Sequence, residues 1–352
     1  MNRIRPLVLT AAATAILLAL AGCAAGTGSP AASGSASAAA SLVGQSIVVY
    51  NAQHEELTQA WVDAFTAESG VKVTMRNGDD SELGNQLVQE GAASSADVFL
   101  TENSPAMVLV DKAGLLAKVD KSTLETLPEA MRPSSGNWTG IAARSTVLVY
   151  NPKLIAEGDL PKSLSDLADP SWKGTWAASP SGADFQAIVS AYLSLEGKDK
   201  TAAWLKAMKE NVVEYKGNTT VMKAVNAGEI PMGVIYHYYW YIDQAGTKEN
   251  SANTQLKFFG NQDPGAFVSE SGGGVLKSSK HQAAAQAFLA FIDGKKGQDI
   301  LRTGTSFEYA IATGSESNPA LKPLDTLDAP AIDPSTLNSK EVTDLMTQAG
   351  LI

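Results

Sequence analysis

Along the chain the spacing of apolar positions alternates between about two and about 3.6, and that alternation outlines a fold. Ser46 to Tyr50 is a β-branched run that ends in the polar turn Asn51-Ala52-Gln53-His54. Leu57, Trp61, Val62 and Phe65 then recur at helical spacing as far as Gly70, a helix stop signal. Val71 to Met75 predicts a strand, Glu82 to Glu90 a helix ending at Gly91, and Ala96 to Leu100 a third strand. Strand and helix in alternation with short connections predict a parallel sheet with crossover helices. Ligands of such sheets lie at the carboxyl ends of the strands, where His54 follows the first strand and Glu102 the third.

A second α/β set begins near Thr146, with a strand over Thr146 to Tyr150. Helices are predicted over Ala183 to Leu195, Thr201 to Lys209 and Val221 to Ala227, the last stopped by Gly228. Pro231 to Tyr236 reads as a buried strand running into Tyr238-Tyr239-Trp240-Tyr241. Gly272 to Leu276 predicts a turn and strand, and Gln282 to Ile292 a helix. The pattern predicts two α/β lobes joined by crossing strands, which suits a body of ~310 residues, larger than most single domains.

The N-terminal pattern differs from all of this. Arg3 and Arg5 precede Leu7 to Leu20, a run of 14 residues broken only by Thr10 and Thr14. That length suits a signal peptide and falls short of the roughly 20 residues a spanning helix needs. Leu20-Ala21-Gly22-Cys23 has the form of a bacterial lipobox, which predicts a leader over 1–22 and lipidation at Cys23. From Ala24 to Ser41 every residue is Ala, Gly, Ser, Thr or Pro, so residues 23–44 predict a lipidated leash. The membrane is met through that anchor alone, on the extracytoplasmic face.

Composition narrows the chemistry. Cys23 is the single cysteine, so disulfides, thiolate metal sites and a catalytic thiol in the folded body are excluded. Without Arg3 and Arg5, 25 basic residues face 37 acidic ones, a balance of −12 that argues against nucleic acid. A His-Glu-x-x-His zinc hydrolase would need a second histidine where Thr58 stands, and no Gly-x-Ser-x-Gly elbow occurs. No enzyme is expected.

Singly, His54, Glu102 and the aromatic cluster from Tyr236 to Tyr241 have ordinary explanations as a cap, a loop carboxylate and core packing. Together they suit ferric iron, a hard ion that prefers carboxylate and phenolate oxygen. Two phenolates and a carboxylate balance its charge, and a neutral imidazole adds a fourth donor. An organic solute (a sugar, polyamine or phosphonate) resting on the aromatic cluster is the alternative.

The chain resembles the bacterial ferric-ion-binding proteins, the transferrin-like components of iron ABC importers. The resemblance is carried by Val49-Tyr50-Asn51-Ala52-Gln53-His54, by Ser95-Ala96-Asp97-Val98-Phe99-Leu100-Thr101-Glu102 and by Tyr238-Tyr239-Trp240. Asp263-Pro264-Gly265-Ala266 and Leu276-Lys277-Ser278-Ser279 add to it. It implies a two-lobed α/β fold of the type 2 periplasmic-binding-protein class with a hinge. Lobe 1 is expected over 45–143 plus 264–315, and lobe 2 over 144–263 plus 316–352. By the resemblance His54, Glu102, Tyr238 and Tyr239 are the ligands of Fe(3+). Ser181, Gly182, Ala183 and Asn218 fall where the family seats a synergistic anion, phosphate or carbonate, with Arg144 placed to offer it charge. Tyr236 and His237 depart from the asparagines that related chains can carry there. A monomer that takes iron, free or as a chelate, to an ABC permease is the implied function.

Overall fold

The computed structural model describes residues 42–352, so the leader, Cys23 and most of the leash lie outside the described residues. Strand β1 (Ser46–Asn51) pairs in parallel with β2 (Lys72–Asn77) and β3 (Val98–Leu100), and helices α1 (Glu55–Ser69) and α2 (Asp80–Glu90) make the crossovers. Gly70 ends α1 in the left-handed conformation (φ 72°), which an L side chain rarely adopts. Helix α3 (Ser104–Lys112) follows β3.

The long strand β4 (Trp138–Tyr150) is buried along its whole length. Two further helices, α4 (Ala183–Glu196) and α5 (Lys198–Lys209), lie between β5 (Trp176–Ala178) and β6 (Val212–Glu214). Helix α6 (Asn218–Ala227) precedes β7 (Met232–Tyr236), and α7 (His237–Ala245) starts at once after that strand. Then come β8 (Gln255–Lys257), β9 (Val268–Val275), α8 (Gln282–Asp293), α9 (Lys295–Thr303) and α10 (Ser339–Gln348). The sheet order is β2-β1-β3-β9-β4-β7-β5-β6, with β8 also on β4.

The sheet is mixed rather than parallel throughout. Strand β9 runs antiparallel to both β3 and β4, and β4 runs antiparallel to β7. Strand β4 serves both halves, pairing with β9 over Trp138 to Ser145 and with β7 over Thr146 to Tyr150. This hand-over makes one two-lobed α/β fold from two strand sets.

Helices cover both faces of each half. Ile47, Val49 and Val98 pack with Trp61, Phe65 and Phe288 on one face, while Phe99 packs with Leu87 and Met107 on the other. In the second half, Trp176 and Val234 meet Phe185, Ile188 and Trp204, whereas Ala177 and Ile235 meet Val221 and Val225. Burying each large side chain contributes about 1.5–3 kcal/mol. Gly272, Gly273 and Gly274 form no turn but lie inside β9. A Cβ at Gly273 would meet Leu289 at 2.8 Å and one at Gly272 would meet Met107 at 3.0 Å, so the close helices require glycine there.

Candidate metal centre

Three chain segments, each just after a strand, bring the donors together. His54 caps α1 after β1, Glu102 sits between β3 and α3, and Tyr238 and Tyr239 occupy the first turn of α7 after β7. The backbone N–H groups of Glu102 and Asn103 both donate to the buried carboxylate of Asp80, each at 2.9 Å, which fixes the Glu102 loop.

His54, Glu102 and Tyr238 meet directly. The Tyr238 hydroxyl donates to Glu102 Oε1 at 2.7 Å, and His54 Nε2 lies 3.2 Å from the same oxygen. Tyr239 lies against Tyr238 with ring centroids 4.2 Å apart, and its hydroxyl donates to Asp184 at 3.1 Å. Each phenol is thus seated on its own carboxylate.

Beneath these donors lies a buried charged layer, of which sequence reasoning named Arg144 but missed Glu308. His54 Nδ1 lies 2.9 Å from Glu308 Oε1, and the other Glu308 oxygen takes an ion pair from Arg144. Arg144 and Glu308 are both wholly buried. Gln53 joins them, donating to Ser271 at 2.8 Å while its carbonyl oxygen accepts from Arg144 at 3.4 Å. Arg144 thus faces Glu308, and its Nε and Nη1 have no hydrogen-bond partner among the described residues. Glu308 follows Phe307, a residue with positive φ (52°) in an irregular segment, and no spacing in the sequence links it to His54.

The anion expectation meets a second unforeseen acid. Ser181 is exposed at the start of α4 and Gly182 is its N-cap, followed by Ala183. Asp184, in the first helical turn and buried, already supplies the negative charge that a helix N-terminus favours. Asn218 donates to Asp184 at 2.6 Å and Asn103 donates to its other oxygen at 3.0 Å. Its adjacency to Ser181-Gly182-Ala183 was the one signal that could have found it.

Tyr236 and His237 turn away from the donors. The Tyr236 hydroxyl contacts Asn103 Oδ1 at 3.3 Å, and His237 Nδ1 accepts the Ser145 backbone N–H at 3.1 Å. The His237 ring stacks on Tyr309, with centroids 4.7 Å apart. Burial holds it neutral, with a pKa pushed down to about 3.

Burial opposes the charged form of His54, but the carboxylates of Glu102 and Glu308 outweigh it and bring its pKa to about 10. Burial likewise raises Glu102, yet the His54 hydrogen bond and the Arg144 charge reverse this and hold it below the usual range. Asp184 is pushed up by burial and by the Glu102 charge. Both phenols are pushed well above their usual value, by burial first and then by Asp184 and Glu102. The metal-free site therefore holds phenol and imidazolium protons on carboxylates. Phenol, carboxyl and imidazole are groups whose protons a trivalent cation would displace if it bound among them. Among the described residues there is no group of three or more His, Cys, Asp or Glu that could hold a metal ion.

His54, Tyr238 and Tyr239 line a cleft of about 1300 Å³ walled by α1 and α7. No helix of the described residues is long and apolar enough to cross a membrane.

Residues 93–332 match the sequence pattern of the bacterial extracellular solute-binding proteins. The chain is 65% identical over 313 residues to the Fe(3+)-binding periplasmic protein of Serratia marcescens, covering 89% of this chain and 93% of that one. Iron-bound HitA from Pseudomonas aeruginosa superposes with a TM-score of 0.81 at 42% identity, covering 87% of this chain and all (100%) of that chain. A Trichodesmium protein in complex with iron and citrate gives a TM-score of 0.77 at 27% identity, again over 87% and 100%.

Proposed function

Since this chain belongs to the bacterial extracellular solute-binding proteins, we propose that it captures ferric iron outside the cytoplasm and delivers it to an ABC importer. The observation that carries the reading is the meeting of Tyr238, Glu102 and His54 at hydrogen-bond distance, with the tilted Tyr239 ring against Tyr238. Phenol and carboxyl oxygens gathered with one imidazole form a hard, anionic donor set once deprotonated, which suits a trivalent cation better than a neutral sugar. The related chains bear the names of binding proteins, and binding, closure and release require no covalent step.

In this reading His54, Glu102, Tyr238 and Tyr239 ligate the iron. Asp184 adds an internal carboxylate beside Tyr239, so the site needs less charge from an exogenous anion. Phosphate, carbonate or water would fill what remains, at the backbone N–H groups of Ser181 and Ala183 beside the N-cap Gly182, whose own N–H donates to the Ser179 carbonyl. The lobes, 45–143 plus 264–315 and 144–263 plus 316–352, close about the crossing strands. Lipidation at Cys23 would tether this monomer near its permease, with the Ala24 to Ser41 segment as a leash reaching roughly 20–25 Å.

The test is a visible absorption titration of the metal-stripped soluble body with ferric iron. Phenolate bound to Fe(3+) produces a charge-transfer band, expected to saturate at one iron per chain and to vanish in the Tyr238→Phe, Tyr239→Phe double variant. Absence of a band at every iron level would refute the ferric site and favour an organic solute.

A further inference from the structure

The four donors differ in what holds the backbone beneath them. Tyr238 and Tyr239 ride in the first turn of α7, and His54 leads directly into α1. Glu102 stands instead in the link between β3, which ends at Leu100, and α3, which starts at Ser104. A donor on a link keeps its aim only when other elements hold that link. Both backbone groups of Glu102 are held in this way. Its carbonyl accepts from the Ser271 hydroxyl at 3.2 Å, and its N–H donates to Asp80.

Asp80 is the first residue of α2, where a negative charge is favoured. Its carboxylate nevertheless reaches out of that helix to the next link. One oxygen goes to each of two consecutive N–H groups, Oδ1 to Glu102 and Oδ2 to Asn103, both at 2.9 Å. The side chain is only 4% exposed. Burying a carboxylate is costly unless hydrogen bonds compensate, and these two bonds are what it has. Asn103, at the N-cap of α3, makes no cap with its side chain and donates to Asp184 instead. A carboxamide at position 80 would carry one acceptor oxygen, which would have to serve both N–H groups or leave one facing its NH2.

We infer that Asp80 is a positioning residue of the iron site: it holds the Glu102 backbone so that the Glu102 carboxylate faces His54 and Tyr238. The inference rests on the ferric reading above and extends the determinants of affinity to a residue behind the donors. Groups that orient a metal ligand from behind are worth about 10–100-fold in affinity.

The experiment is a double-mutant cycle on ferric affinity, measured by competition with a chelator. It compares the native chain, Asp80→Asn, Glu102→Gln and the double variant. Asp80→Asn is expected to weaken binding by about 10–100-fold in the native background. With Glu102→Gln already present, the same change should cost less than about threefold, because the carboxylate it aims has gone. A residue that served the fold alone would cost the same factor in both backgrounds. Asp80→Ser, which keeps one acceptor oxygen on a smaller side chain, repeats the cycle and carries the test if Asp80→Asn does not fold. Equal losses in the two backgrounds overturn the inference, as does no loss in the native one. If Glu102→Gln alone leaves affinity unchanged while the phenolate band persists, the ferric reading stands and this inference falls. Absence of the band in the native protein overturns both.

Discussion

Glu308→Gln tests the charged layer under the site. In the native chain Glu308 and Arg144 are wholly buried partners, and Glu308 also holds His54. Glutamine keeps the shape and removes the charge. Arg144 then keeps Gln53 at 3.4 Å, the Tyr238 ring, whose centroid is 5.8 Å away, and the more distant charges of Glu102 and Asp184. Removing one partner of a buried pair costs about 3–5 kcal/mol, because the other charge remains buried without compensation. Against a typical total stability of roughly 5–15 kcal/mol, that loss is plain in a urea unfolding curve of the metal-free protein. Iron affinity should fall as well, by about 10–100-fold, since His54 loses the group that orients its ring. An Arg144→Gln, Glu308→Gln double variant should regain much of the stability but not the affinity. If Glu308→Gln unfolds within about 1 kcal/mol of the native chain, the pair is not the buried, uncompensated charge described here.

His54→Ala should weaken ferric binding less than Tyr238→Phe or Tyr239→Phe, because it removes a neutral donor and each Phe change removes a charged one. Competition titration against a chelator checks the order, and a larger loss for His54→Ala would refute the charge-based ranking. Asp293→Asn tests a buried acid remote from the iron: Thr139 donates to one Asp293 oxygen at 2.7 Å, the other has no partner, and burial raises its pKa well above the usual range. A raised carboxyl favours the fold fully below its unfolded pKa of about 3.9 and loses that contribution as pH rises toward the folded value. Relative to native, the Asn variant should therefore gain stability from pH 4 to pH 8, by at most about 1.4 kcal/mol per pH unit. Urea midpoints that move the opposite way refute this account.

Local pattern made the first half legible. The run from Ser46 and the helical spacing up to Gly70 became β1 and α1, because each element shows one period and a clear stop. Strand β4 was legible only from Thr146 onward. Its first part, Trp138 to Ser145, is buried on both faces and rich in small residues, so no alternation marks it. The aromatic run after Tyr236 forms a helix because tertiary packing sets its period, with His237 on Tyr309 and Tyr241 on Phe307. Of the centre, the residues that follow strands could be read from the sequence. Glu308 could not, since it reaches His54 from a loop without periodicity.

Strands in this chain are synthesised in one order and paired in another. Strand β9 lies between β3 and β4, so the central sheet cannot close until Val268–Val275 has been made. The donors at 54 and 102 wait for those at 238 and 239, and the support at Glu308 comes later still. Such distant pairing forms slowly. A chain exported from its N-terminus therefore stays open enough to thread until nearly all of it has passed. On the proposed ferric reading, the iron site of such a chain would be completed only on the far side of the membrane, after the chain had left cytoplasmic iron behind.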